Sequence, residues 1–504
     1  MRQELFLGIN QSTNSSQGVL INPLGDEQQT IAQLSIAVPE PVRAECAVNQ
    51  DPLAILNSVI DLLEWGRARS QELGIPIRAW GLSVQDSGVL AWSKETGEIL
   101  HPLITAQDRT MQPYIDGLGA GCEKISNLTG LPTLVNFAAT KIHRLQRAFL
   151  NSSTYVATLD SYLVNRLSEG KIFSTEDSMA ALTMLYTLER GDDSGWSEWL
   201  CRRFEVDVAR LPEIAPSLKH HFTYNDLPLM ALIGERQALM LGGLVAESRQ
   251  LLTLGSEATS LSLSCGVAVL RKPGLISSVL YSRRVSGVMR REVRYLIEAL
   301  ASSAKGLLAE VIERGWAADY ADIESLCREA YAANPTGLAT AYWVDNSFSS
   351  PDLPPGVSRV MAARNGALVR DRVRAVVESI GNIVVRMLEQ FAEKGLLGER
   401  YPAQIDLVGS VSSISYLSQY VADVSGHVVS CLGASDYLSA RGAAFAAWHS
   451  VYPASEVSRV VTSSRDRCEE YRCIEPERRR RYLAWVRLEQ DLLRGSLPEW
   501  VEVV

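Results

Sequence analysis

No apolar run in the 504-residue chain approaches the ~18 residues needed to cross a bilayer. The N-terminal Leu5-Phe6-Leu7-Gly8-Ile9 is too short for a signal-peptide core. A cytoplasmic protein with no membrane partner is expected. Cysteine is sparse: the 8 residues are scattered without a CxxC pair, which predicts reduced, mostly buried thiols rather than a disulfide framework. The 6 histidines lack metal-ligand spacing, and His220-His221 reads as a surface-loop pair because adjacent side chains diverge. There is no GxxxxGK[ST], HExxH or GxSxG signature. Gly117-Leu118-Gly119-Ala120-Gly121 has a misplaced third glycine for a dinucleotide loop and reads as a turn. Lys+Arg 49 against Asp+Glu 58 gives a net charge of -9, so no global field gathers nucleic acid. The run Arg478-Arg479-Arg480-Arg481 adjoins a packing stripe of Tyr482, Trp485, Leu488 and Leu492 and reads as a solvated face of a final helix near 477–493.

With 46% hydrophobic and 21% charged residues, the chain is an ordinary folded protein, and at about 150 residues per domain it holds two to four domains. Its architecture restarts midway. Glu4 to Ile9 and Gly18 to Ile21 read as strands around a polar loop, Asn10 to Gln17. Leu251 to Leu254, a loop Gly255-Ser256-Glu257-Ala258-Thr259 and Ser260 to Ser264 repeat that pattern, followed by a strand Val267 to Leu270. Leu53 to Leu73 has amphipathic-helix spacing and leads into a strand Ile77 to Val84. Val369 to Phe391 carries Val373, Val376, Val377, Ile380, Ile383, Val384, Met387 and Leu388 on a helical period and leads to a strand Gln404 to Val408. The repeat implies two related α/β halves dividing near residue 248, with Ser349 to Pro355 a rigid connector and a polar stretch from Pro453 to Glu475. Each half carries a hydroxyl-rich loop after a strand, where backbone N–H groups form anion-binding nests suited to nucleotide phosphates.

Several segments resemble the FGGY carbohydrate kinases, glycerol kinases most closely. Trp92 to Gly97 and Ala106-Gln107-Asp108-Arg109-Thr110 resemble the strand, turn and W-Q-D-R-R segment, with Ala106 in place of Trp. Leu128 to Pro132, Thr140-Lys141, Leu159 to Leu163 and Thr175 to Met184 follow in family order. Arg374 to Ile380 resembles a family helix, and Gly409-Ser410, Ser415, Gln419, Ala422-Asp423, Gly426 and Gly442-Ala443-Ala444 resemble the adenosine-side motif. The resemblance implies two duplicated actin-like, ribonuclease H-like domains around an interdomain cleft. Residues 1–248 would be the acceptor domain; 249–504 would be the nucleotide domain, with a helical tail from about 454.

The resemblance also implies site roles, with degenerate motifs. Glu235, in Gly234-Glu235-Arg236-Gln237-Ala238, stands at the catalytic base, one methylene longer than the family's Asp. Thr13 and Ser256 would touch phosphates, Gly409 and Ser410 would border adenosine, and Asp86, Gln107, Asp108 and Arg236 would line the acceptor pocket. Asn10 replaces an acid that helps hold Mg²⁺, Ser12 a glycine, Glu257 a phosphate-facing glycine and Val408 an Asp. Asp86-Ser87 replaces an Arg-Glu pair, Asn136 a Tyr and Arg236 a Gln, which argues against glycerol. Asp86 and Arg236 either present opposite charges to a larger polar or zwitterionic ligand or form structural ion pairs. The expected function is ATP-dependent phosphorylation, with Mg²⁺, of a hydroxyl on a sugar, polyol or related metabolite. The alternative is an inactive kinase-fold protein that binds a metabolite or partner, and a different transfer reaction in the same cleft is a third. Partners expected are a small polar metabolite and a second copy of the chain.

Overall fold

The computed structural model describes residues 4–23, 30–151, 153–188, 195–243, 250–254, 259–268, 274–284, 291–301, 303–335, 341–345, 359–363, 367–397, 404–432, 437–452 and 469–494. The connector 349–355, most of the polar stretch from 453 and the junction near 248 lie outside them. A sheet of 13 strands runs through the described residues. In its first half, Leu5–Gln11 pairs antiparallel with Ser15–Ile21, which pairs with Thr30–Ala37. On its other side Leu5–Gln11 pairs parallel with Ile77–Val84, and that strand parallel with Leu227–Gly234.

The second half repeats this order. Gln250–Leu254 pairs antiparallel with Thr259–Cys265, which pairs with Arg291–Ala301. Gln250–Leu254 also pairs parallel with Gln404–Val408, and that strand parallel with Val428–Cys431. A hairpin followed by two parallel strands on the hairpin's first member thus occurs twice, which is the duplicated α/β architecture. Leu218–Tyr224 and Ile276–Arg284 join the two sets through one pair, Leu218 with Arg283.

Helix Pro52–Leu73 starts on an Asp51 side-chain cap and ends on Gly74 in the left-handed region, as an N-cap acid and C-terminal glycine dictate. It buries Ile55, Val59, Leu62 and Leu63 against the first half. Helix Val369–Glu393 buries its apolar stripe in the second-half core with Tyr420, Tyr482 and Trp485. Helix Leu438–Val451, late in the chain, lies instead on the first-half strands, with Ala440, Ala444 and Trp448 packed on Phe6, Val19 and Ala79. That crossing depends on small residues: a β-carbon on Gly81 would lie 2.0 Å from the Ala443 carbonyl oxygen.

Three surface readings are corrected. His220 and His221 lie on strand Leu218–Tyr224, the first exposed and the second buried, within an irregularity of its pairing with Leu227–Gly234. Cys201 and Cys327 are buried, but Cys46 and Cys473 are exposed. The arginine run is not a uniformly solvated face, because three-residue spacing turns Arg478 and Arg481 inward together. Arg481 and Arg374 both pair with buried Glu378, Arg374 Nε at 2.7 Å. Arg478 stacks 4.1 Å from the Tyr331 ring centroid.

Candidate active site

Three parallel strands of the first half end side by side, so the segments leaving their carboxyl ends meet at one edge. Leu5–Gln11 leads into the turn 12–14, Ile77–Val84 into Gln85-Asp86, and Leu227–Gly234 into helix Glu235–Gly242. Register places Asn10 opposite Ser83, and Ser83 opposite Ile233. Asn10 is 2% exposed; its Nδ2 donates to Glu235 Oε1 at 2.9 Å, and its Oδ1 accepts from Ser83 Oγ at 2.5 Å. The polar stretch 10–17 is therefore mostly strand, with only Ser12 to Asn14 between the two strands. Its buried amides are satisfied by distant partners, Gln11 Oε1 accepting from Gln85 Nε2 at 3.2 Å.

The next residue along the helix resolves the charge question. Arg236 Nε and Nη2 both donate to Asp86 Oδ2, at 3.0 and 2.8 Å, so these two charges face each other rather than separately facing a ligand. Arg236 Nη1 reaches Glu298 Oε2 at 3.4 Å, on strand Arg291–Ala301 of the second half. Burial pushes the Asp86 carboxyl up, but the charge and hydrogen bonds of Arg236, helped by Ser87 and Lys141, outweigh it and hold the group below its ordinary value. Glu298 is held above its ordinary value by burial, which Arg236 only partly offsets. Gln237 Nε2 donates to Ser278 Oγ at 3.2 Å, again in the second half. Residues 235, 236 and 237 thus tie the helix start to the hairpin strand, to Asp86 and to two second-half strands.

Glu298 was not singled out from the sequence. A carboxylate inside the apolar run Tyr295-Leu296-Ile297-Glu298-Ala299-Leu300 was the available signal, since such a group needs a partner. Ser83, inside a buried strand, gave none.

Asp108, expected in the acceptor pocket, holds a turn. Its Oδ2 accepts from Val48 N–H at 3.0 Å, and its Oδ1 accepts from the Thr110 N–H and hydroxyl at 3.0 and 2.5 Å. Gln107 Oε1 accepts from Arg43 Nη2. Lys141 lies close enough to feel both Asp108 and Asp86. Burial lowers its ammonium to about 7 against their pull, and its Nζ donates to the carbonyls of Val135, Asn136 and Phe137. Arg109 Nη1 donates to Asn136 Oδ1 at 2.6 Å. Of these groups, Lys141 is the one that acts on Asp86.

At the turn expected to face phosphate, Thr13 Oγ1 donates to Gln85 Oε1 at 3.3 Å, and the Ser12 N–H is closed onto the Ser15 carbonyl at 2.9 Å. Ser256 and Glu257 lie outside the described residues. Gly409 follows strand Gln404–Val408 at φ 112°, and a β-carbon there would lie 2.8 Å from the Leu254 carbonyl oxygen. Glycine is required by both conformation and space. Ser410 is exposed and hydrogen-bonded with Tyr320. Gln419 and Asp423 hold the chain's tail: Gln419 Nε2 donates to the Arg472 carbonyl, and Asp423 Oδ1 accepts from the N–H groups of Ile474 and Glu475.

The implied Mg²⁺ meets the wrong donor set. Asn10 offers an N–H donor toward Glu235, not a second carboxylate, so of this pair only Glu235 has an oxygen of the kind Mg²⁺ takes. Asn10 and Glu235 are thus not a two-carboxylate cradle for a shared cation.

A duplicated α/β architecture, with a carboxylate at the head of a helix where the strand ends of one half face the other, is the two-domain actin-like kinase fold. Residues 5–238 match the model of the FGGY family of carbohydrate kinases, N-terminal domain. An apulose kinase of Pectobacterium atrosepticum is 27% identical over 323 residues, covering 59% of this chain and 61% of that relative. A glycerol kinase of Trichodesmium erythraeum is 25% identical over 468 residues, 88% of this chain and 89% of that protein. The crystal structure of Plasmodium falciparum glycerol kinase with ADP superposes with a TM-score of 0.84 at 17% identity, covering 99% of both chains. Over residues 5–238 the chain matches the FGGY family of carbohydrate kinases, and its curated relatives resemble it at 22–27% identity.

Proposed function

We propose that the protein transfers the γ-phosphoryl group of ATP to a hydroxyl of a sugar, polyol or related polar metabolite other than glycerol. In that reaction the acceptor oxygen bonds to the γ-phosphorus as the bond to the ADP oxygen breaks, and the hydroxyl proton passes to Glu235. The observation that carries the reading is the placement of Glu235 at the start of a helix, beside the hairpin strand that leads to Thr13. The relatives' kinase activities and the ADP in the Plasmodium structure support it. Thr13 and Ser256 would face phosphate, Gly409 and Ser410 the adenosine. Asp86 and Arg236 would contribute to the acceptor pocket as a joined pair, which favours a polar, uncharged polyol over a zwitterion, since each charge already has its counter-ion.

A second reading is a metabolite-binding protein that does not transfer phosphate, and the amide in place of a second carboxylate beside Glu235 favours it. Calorimetry with MgATP and a kinase assay over a panel of sugars and polyols separates the two. Tight MgATP binding and turnover lost in Glu235→Gln with little change in stability are expected of the kinase. Unchanged turnover in that variant removes Glu235 from the mechanism, and absent nucleotide binding by the folded protein leaves the second reading.

A further inference from the structure

We infer that this protein orients its candidate base through an amide relay, Ser83 to Asn10 to Glu235, where two carboxylates would need a cation between them. The inference rests on the kinase reading for its catalytic meaning, but its geometry stands apart from it. Asn10 and Ser83 are register partners on adjacent parallel strands, so their side chains share one face of the sheet. Glu235 begins the element after the third strand. An ionised carboxylate only accepts, so the Asn10 amide must turn its NH₂ toward Glu235 Oε1, which leaves Oδ1 as the acceptor for the Ser83 hydroxyl. With Glu235 ionised, this is the one arrangement that satisfies both contacts of the amide. The Ser83 hydroxyl on Oδ1 supports that orientation of the amide, with its NH₂ held on Glu235.

Asn10 and Ser83 lie in sheet strands and are 2% and 0% exposed, and Glu235 heads the helix that directly follows a third strand. A neutral donor at 2.9 Å does for the base what a cation does for a carboxylate pair: it satisfies one oxygen and fixes the plane of the group. Asn10 and Ser83 are positioning residues; neither is assigned contact with the reacting atoms.

The decisive variant is Asn10→Asp, which keeps the volume and turns the donor into an acceptor. In the presence of a chelator its melting temperature should fall below that of the parent protein, and Mg²⁺ added without nucleotide, at matched ionic strength, should restore much of the loss while leaving the parent unchanged. Equal melting temperatures of the two proteins in chelator, or a variant indifferent to Mg²⁺, overturns the relay. In steady-state assays Ser83→Ala frees the amide and should lower kcat about tenfold with both KM values retained, because misorientation of a base acts on the chemical step. An unchanged kcat also overturns it. The thermal arm does not depend on turnover: a metal-responsive Asn10→Asp in a protein that never phosphorylates any acceptor leaves the relay standing and removes the kinase reading. Turnover with a metal-indifferent variant does the reverse.

Discussion

Replacing Arg236 by methionine removes the guanidinium that joins Asp86 to Glu298. In the parent protein that group donates to Asp86 Oδ2 at 3.0 and 2.8 Å and reaches Glu298 Oε2 at 3.4 Å. An exposed pair contributes about 0–1 kcal/mol, and orphaning one member of a buried pair costs about 3–5 kcal/mol. The Arg236 side chain is 27% exposed while Asp86 and Glu298 are 18% and 2% exposed, which places the loss between these limits, at about 2–3 kcal/mol near neutral pH. The sign with pH is set by the two carboxyls. Asp86, held low by Arg236 in the parent, supplies stability above the ordinary carboxylate value that is lost as pH falls through its native value. Without Arg236 each carboxyl loses the influence that most opposes burial, leaving Ser87 and Lys141 at Asp86 and Ser262 at Glu298; both then titrate higher than in the parent, so the variant gains stability relative to the parent as pH falls from 7.5 to 5 and they take up protons. Melting temperatures at the two pH values measure this. A parent-to-variant gap that does not narrow at pH 5 refutes the electrostatic account. Adding Glu298→Gln to the methionine variant should recover part of the loss, because the orphaned charge is gone; strict additivity of the two substitutions would mean that the residues do not interact.

The second half gives two further expected outcomes. Gly409→Ala forces a β-carbon into a φ of 112° and against the Leu254 carbonyl oxygen at 2.8 Å; the strain is about 1–3 kcal/mol, and under the kinase reading calorimetry should show nucleotide affinity reduced while the fold survives. Arg481→Met leaves Glu378 with Arg374 and Tyr416 but without its other cation, and should cost about 3 kcal/mol and expose the segment after 478 to limited proteolysis. Burial raises the Glu378 carboxyl, Arg481 and Arg374 outweigh it, and the group is held down to about 2. Its contribution is therefore full above pH 4.5 and lost toward 2, and Arg481→Met should shift acid unfolding to higher pH.

The duplicated architecture was legible because it rests on periodicity. The strands Ile77–Val84 and Gln404–Val408 have the predicted bounds, and helix Pro52–Leu73 begins one residue before the predicted start, at a proline an N-terminus accepts. The crossing of helix Leu438–Val451 onto the first-half sheet was not. Gly81 looks locally like any strand glycine, and the carbonyl that excludes a side chain there comes from residue 443. Local pattern reports how much space a residue takes, not which distant backbone needs that space.

The site was half legible for a related reason. Asn10, Gln11 and Ser16 read as a loop because they are polar, yet all three are buried in strands. Polarity inside a pleated, buried strand breaks the local rule, and such a break marks a place where partners come from elsewhere, here Ser83, Gln85, Ser58 and Glu235. Asp86 and Arg236 posed the converse problem: their charges were visible and their relation was not. The sheet decides it, since the ends of Ile77–Val84 and Leu227–Gly234 are neighbours and bring residues 150 apart to 2.8 Å. Once joined, the pair leaves Arg236 only one direction for its remaining nitrogen, toward Glu298 on the other half. The residue after the candidate base therefore couples the strand end at Asp86 to the second half, and a substitution made there acts on both contacts together.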